Sequence, residues 1–179
     1  SGQGSNKKAY FTNTSFLEYR QKNTSNANTY RHNDNLMIQS ALRVSYTSPK
    51  VMHWITGLLL WLEMNDNTSK LISSCAVAEQ IARQSIFENF FKPCKDGDYR
   101  LGVGTPHIVY NYLDYLIWKN DRNLYKDFTF EFRNSVEHWY PRHPKESEIE
   151  TWKDGGVDRF GNLCIIQRNV NSKFYNLPP

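Results

Sequence analysis

The stretch Ser135-Val136-Glu137-His138-Trp139-Tyr140-Pro141 decides how this chain is read, together with Arg159-Phe160-Gly161-Asn162-Leu163-Cys164-Ile165-Ile166 and the following Asn169-Val170-Asn171-Ser172-Lys173. Just upstream, Phe128, Phe130 and Phe132 alternate with Thr129, Glu131 and Arg133, a period of two that predicts a strand running into Glu137 and His138. Leu163 to Ile166 is a second short apolar run, β-branched at its end, and 171–176 reads as the opening of a helix. The order is strand, long loop, strand, helix. A carboxylate beside an imidazole, followed by two asparagines, supplies a base that works near neutral pH and oxygen donors suited to one hard divalent cation.

Glu-His-x-x-Pro followed by Gly-Asn-Leu and Asn-Ser-Lys resembles the HNH, or ββα-metal, endonucleases. More narrowly it is similar to the C-terminal nuclease domain of GmrSD-type modification-dependent restriction proteins. The resemblance implies a metal-dependent DNA endonuclease from a bacterial restriction or phage-defence system, acting on DNA that includes modified phage DNA. It assigns His138 as general base and Asn162 as the loop-bracing asparagine of the catalytic set. It assigns Glu137 and Asn171 as ligands of Mg²⁺ or Mn²⁺, and Lys173, Arg168 and Arg142 as phosphate contacts. Gly161 is expected to provide a backbone conformation that other residues resist. His143 is set aside in favour of His138.

Adjacent residues of a regular strand face opposite ways, so Glu137 and His138 share a site only if the strand ends at the histidine. Pro141 and Pro144 are placed to end it. Each residue also has an ordinary reading: Asn162 as a turn former, Asn171 as a helix cap, Glu137 and His138 as surface residues of a strand. The alternative function is a catalytically degenerate HNH-like helical module that binds DNA or a partner.

The family usually carries an N-terminal ParB-like nucleotide-hydrolysing domain, expected here as a partner within the same parent protein. The chain has no Gly-rich phosphate loop, and Gly102-Val103-Gly104 lacks the third glycine of a dinucleotide site. It stops at Leu177-Pro178-Pro179, so the nuclease unit is expected to be C-terminally truncated.

Composition sets wider bounds. A chain of 179 residues with 15% aromatics can bury a core. Net charge is +4 and the isoelectric point is near 8.9, compatible with nucleic acid without demanding it. The three cysteines are far apart and form no C-x-x-C pair, which argues against a zinc ribbon and more so against a disulfide framework, and suits a reducing, cytoplasmic location. Leu58-Leu59-Leu60-Trp61-Leu62 is far shorter than the roughly 20 residues a bilayer requires, so no membrane span is expected.

The fold class predicted is α+β, mainly α. A flexible segment over 1–33 leads into a helical bundle over 34–125, then a small ββα-metal unit over 126–179. The polar run 22–33 reads as loop, and a helix starts at Asp34. Ser48-Pro49 and Thr105-Pro106 each combine a capping residue with proline at the first helical position. They open helices to about Met64 and Lys119, with a further helix over Ser69 to Phe91 between them. The Pro49 helix is apolar around much of its surface, which places it at the centre of the bundle. Leu59, Leu62, Ile81, Leu113 and Leu116 are expected to be buried.

Overall fold

The computed structural model describes residues 26–65, 70–94, 97–142 and 156–168, with side chains from 34 in the first stretch and from 74 in the second. The described part is α+β, mainly α: helices followed by a two-stranded antiparallel sheet.

Helix α1 spans Asn26–Ser45, so residues 26–33, expected as loop, are helical. No glycine or proline interrupts 26–33, and a nucleated helix gains a hydrogen bond with each added residue. α1 is the central helix, packed against both α3 (Lys70–Ile86) and α4 (His107–Asn120). Ile38, Ala41 and Leu42 of α1 meet Ala78 and Ala82 of α3, all fully buried. The three alanines let the helix backbones approach closely.

The Pro49 start signal opens a 3-10 turn, Pro49–Val51, before α2 (His53–Met64). α2 is peripheral, a correction to its expected central place. It buries only Trp54 and Leu58, while Leu59 is 60% exposed and Leu62 half-buried. Apolar residues around a helix make it able to be central, but among the described residues α2 packs chiefly against α3, through one face.

α3 continues through a π-helical turn, Phe87–Phe91, and keeps Ile81 half-buried. In α4 the buried set includes Ile108, Asn111, Tyr112, Tyr115 and Trp118, and the expected Leu113 and Leu116 are each 40% exposed. The face that wins is the one whose tyrosines and tryptophan bring the larger apolar area. The Thr105 hydroxyl does not cap α4; it donates backwards to the Gly102 carbonyl at 2.8 Å.

Strand β1 is Ser135–His138 and strand β2 is Leu163–Ile166, in register from Ser135 opposite Ile166 to His138 opposite Leu163. The strand expected over Phe128–Phe132 does not form. Its alternation instead seats Phe130 in the helical core with Phe128 edge-on at 5.0 Å, because β2 offers no ladder partner before Ser135. Arg133 anchors this segment to α4, donating to Asp114 Oδ2 at 2.5 Å and Asn111 Oδ1 at 2.8 Å. Beyond β2, Gln167 donates to Glu131 at 2.8 Å.

Val136, Leu163 and Ile165 form a second apolar cluster with Tyr110 of α4. Phe160 joins it to the helical core, with its ring 5.3 Å from Tyr110 and 5.4 Å from Phe90. The helix expected over 171–176 lies outside the described residues. No helix of the described residues is long and apolar enough to cross a membrane.

Candidate active site

The ladder places Val136, His138, Leu163 and Ile165 on the inward face of the ribbon, because paired residues share a face and successive residues alternate. His138, the last residue of β1, therefore turns toward the 3-10 turn Gly102–Gly104, on which β1 packs. There its Nε2 lies 2.8 Å from Asp158 Oδ1, on the 3-10 turn Gly156–Asp158. Arg142 donates to the same oxygen at 2.6 Å. The bond from His138, and then that from Arg142, hold the Asp158 carboxyl below the usual carboxylate range.

Gly102 has φ of +55°, and a Cβ there would lie 2.8 Å from Asp158 Oδ1. This glycine is needed twice, for its left-handed backbone and for the close approach of the carboxylate. Gly161, expected to carry that requirement, lies outside the left-handed region and a Cβ on it would meet nothing within 4 Å. It sits instead in an ordinary 3-10 turn, Phe160–Asn162.

Asn162 is 3% exposed and uses its whole amide on backbone. Its Oδ1 accepts from the Tyr140 amide at 2.8 Å, and its Nδ2 donates to the Tyr140 carbonyl at 3.1 Å and the Val157 carbonyl at 2.8 Å. Its own carbonyl accepts from the Trp139 amide at 2.8 Å. The side chain thus joins the exit of β1 to the turn carrying Asp158, and it acts on loops rather than on a ligand.

Glu137 faces the other way. It pairs with Cys164 across the ladder, and its Oε1 accepts from the Ser135 hydroxyl at 2.5 Å. Burial first, and then the Glu137 charge, push the Cys164 thiol up. The strand does end at His138, but it stays regular to that point, so Glu137 and His138 project to opposite faces. Arg168 is exposed just past β2. Asn171, Lys173 and His143 lie outside the described residues.

Asp158 escaped the sequence reading. It is twenty positions from His138 by number, and no spacing rule links the two; the only local signal is an acid just ahead of Phe160-Gly161-Asn162. Among the described residues, no three His, Cys, Asp or Glu side chains converge to hold a metal ion. Glu137, the expected ligand that the structure describes, projects from the face opposite His138 and Asp158, so the described residues gather no metal-binding set around the imidazole.

No curated protein and no solved structure gives a match. Residues 98–179, which contain the Gly102 turn, both strands, His138, Asp158 and Asn162, match the family model of the GmrSD restriction endonucleases, C-terminal domain. This part of the chain resembles that restriction-endonuclease domain.

Proposed function

We propose that residues 98–179 act as a metal-dependent DNA endonuclease unit of HNH type, nicking or cutting DNA within a bacterial restriction or phage-defence protein. The observation that carries the reading is the family resemblance over the segment in which a nearly buried imidazole is bonded to a carboxylate. In this reading His138 is the general base. It takes a proton from water as the water oxygen bonds to phosphorus. The bond from phosphorus to the leaving sugar oxygen breaks, and that oxygen takes a proton from solvent.

The resemblance assigns Mg²⁺ or Mn²⁺, which would supply positive charge against the leaving oxygen, to Glu137 and Asn171; Glu137 leaves β1 on the face opposite His138, so among the described residues this carboxylate does not meet the imidazole. Asn162 keeps the two loops of the site in place. Arg168 and Lys173 contact phosphates, and Arg142 does so while sharing Asp158. A ParB-like nucleotide-hydrolysing domain of the same parent protein would be the partner, and modified phage DNA the substrate.

Plasmid nicking with Mg²⁺ tests this. His138→Ala should slow nicking by about 100-fold or more, with DNA affinity unchanged. His143→Ala should do little. Affinity should fall steeply with salt and vary little with base sequence, as phosphate contacts require. A His138→Ala chain that nicks at the wild-type rate would end the reading.

One observation favours a second reading. Glu137 and His138 lie on opposite faces of β1, as in a degenerate HNH-like module that binds DNA or a partner without cutting it. Salt-sensitive DNA binding by a chain that never nicks with Mg²⁺ or Mn²⁺ would select it.

A further inference from the structure

We propose that Asp158 is a positioning residue for His138: its carboxylate holds the imidazole as the Nε2–H tautomer and leaves Nδ1 as the nitrogen that takes the proton. The proposal rests on the nuclease reading and gives Asp158 a role that reading did not assign.

Asp158 Oδ1 meets Nε2 of His138 at 2.8 Å and a guanidinium nitrogen of Arg142 at 2.6 Å. An ionised carboxylate can only accept, and a neutral imidazole has one donor nitrogen and one acceptor. With Asp158 kept ionised by these two neighbours, Nε2 must be the donor and Nδ1 carries the lone pair. When Nδ1 takes a proton, the imidazolium forms beside a negative charge already in place, so no group has to move to stabilise it.

The surroundings hold the carboxylate from two sides. On one side is the Gly102 backbone, whose carbonyl accepts from both the Thr105 amide at 3.0 Å and the Thr105 hydroxyl at 2.8 Å. On the other, the Arg159 amide bonds the Gly156 carbonyl at 3.1 Å and the Phe160 amide bonds the Tyr99 carbonyl at 2.9 Å. A surface ion pair between Asp158 and Arg142 alone would need no glycine at 102. The His138 side chain is 12% exposed and that of Arg142 is 51% exposed, so the aspartate spans from an inner base to an outer cation.

The test uses the full chain, labelled with ¹⁵N-histidine, alongside plasmid nicking by wild type, Asp158→Asn and Asp158→Ala. The wild-type spectrum should show His138 protonated at Nε2 and bare at Nδ1. Asp158→Ala should give mixed tautomers, and its kcat should fall roughly 10- to 100-fold with KM unchanged, as when other carboxylates that orient an imidazole are removed. Asp158→Asn keeps the size of the side chain and decides the matter if the alanine variant does not fold. A proton on Nδ1 in the wild type would overturn the proposal, as would variants that keep both tautomer and rate. If the wild-type chain nicks no DNA, the nuclease reading fails, while the nitrogen shifts still decide the tautomer.

Discussion

The helical core and the two-stranded ribbon differ in what keeps them in place. In the core, Ile38, Ala41, Leu42, Ala78, Ala82 and Tyr115 are fully buried, and many apolar contacts act together. The ribbon has four-residue strands and a small apolar cluster, part of it borrowed from α4 through Tyr110. Its exit loops depend on single polar contacts: the amide of Asn162, the carboxylate of Asp158 and the bare Cα of Gly102. Apolar burial is non-directional and shared among neighbours, so the core is redundant. A hydrogen bond has fixed partners, and a buried group that loses them has no substitute. The candidate site lies in the part of the molecule with less redundancy.

The largest effects should come from the core. Leu42→Ala should cost about 2–5 kcal/mol in urea unfolding, the range for a buried leucine. Leu59→Ala, on the outer face of α2, should stay within about 0.5 kcal/mol. The reverse order would place α2 at the centre and break the comparison.

Next is Asn162. Removing its amide in Asn162→Ala orphans the Tyr140 and Val157 backbone groups and should cost about 2–3 kcal/mol. Asn162→Asp should cost at least as much, because an acceptor oxygen would then face two carbonyls. If both variants unfold like the wild type, the ribbon is not held by this residue.

The two glycines sharpen the contrast further. Gly102→Ala should lose about 1–2 kcal/mol from the left-handed backbone alone. It should also disturb the His138–Asp158 pair, which the ¹⁵N-histidine spectrum reads directly. Gly161→Ala should be neutral within about 0.5 kcal/mol.

The smallest effect is acid sensitivity. Asp158 has a folded pKa below its unfolded value, so its contribution is present above that unfolded value, about 3.9, and is lost as pH falls through the folded one. In the helical region two carboxylates oppose each other. Glu79 is desolvated, which alone would raise it, but bonds from Lys119 and Tyr115 outweigh this and hold it low. Asp34 is raised by burial and so gains stability as pH falls through its folded value. The amide signals of Tyr140 and Asn162 should therefore broaden on acidification before those of Ala82 and Tyr115. Simultaneous loss would mean that the ribbon and the core titrate as one unit.

How much was legible depended on how local the cause is. The fold class and the β2 run are written in apolar spacing, proline and turn chemistry within a few residues. So, to within a few residues, are the extents of α3 and α4. The resemblance was legible between Glu137 and Lys173, within the 98–179 that match the family model, because short motifs keep their order along the chain. Periodicity states which side chains are apolar and cannot state which face will meet a neighbour. Leu59 and Leu116 have the right chemistry for a core and are exposed because, among the described residues, no element packs on them. The same limit governs Phe128 to Phe132, where alternation is present but a strand exists only where a partner supplies the ladder. Asp158 beside His138, Gly102 beneath Asp158, and Asn162 between two loops were decided by the tertiary structure alone. Each is a contact between residues far apart in number, created when the ribbon folds onto the Gly102 turn and α4. Sequence chemistry determined which groups this protein has to work with; the meeting of distant turns determined which of them touch.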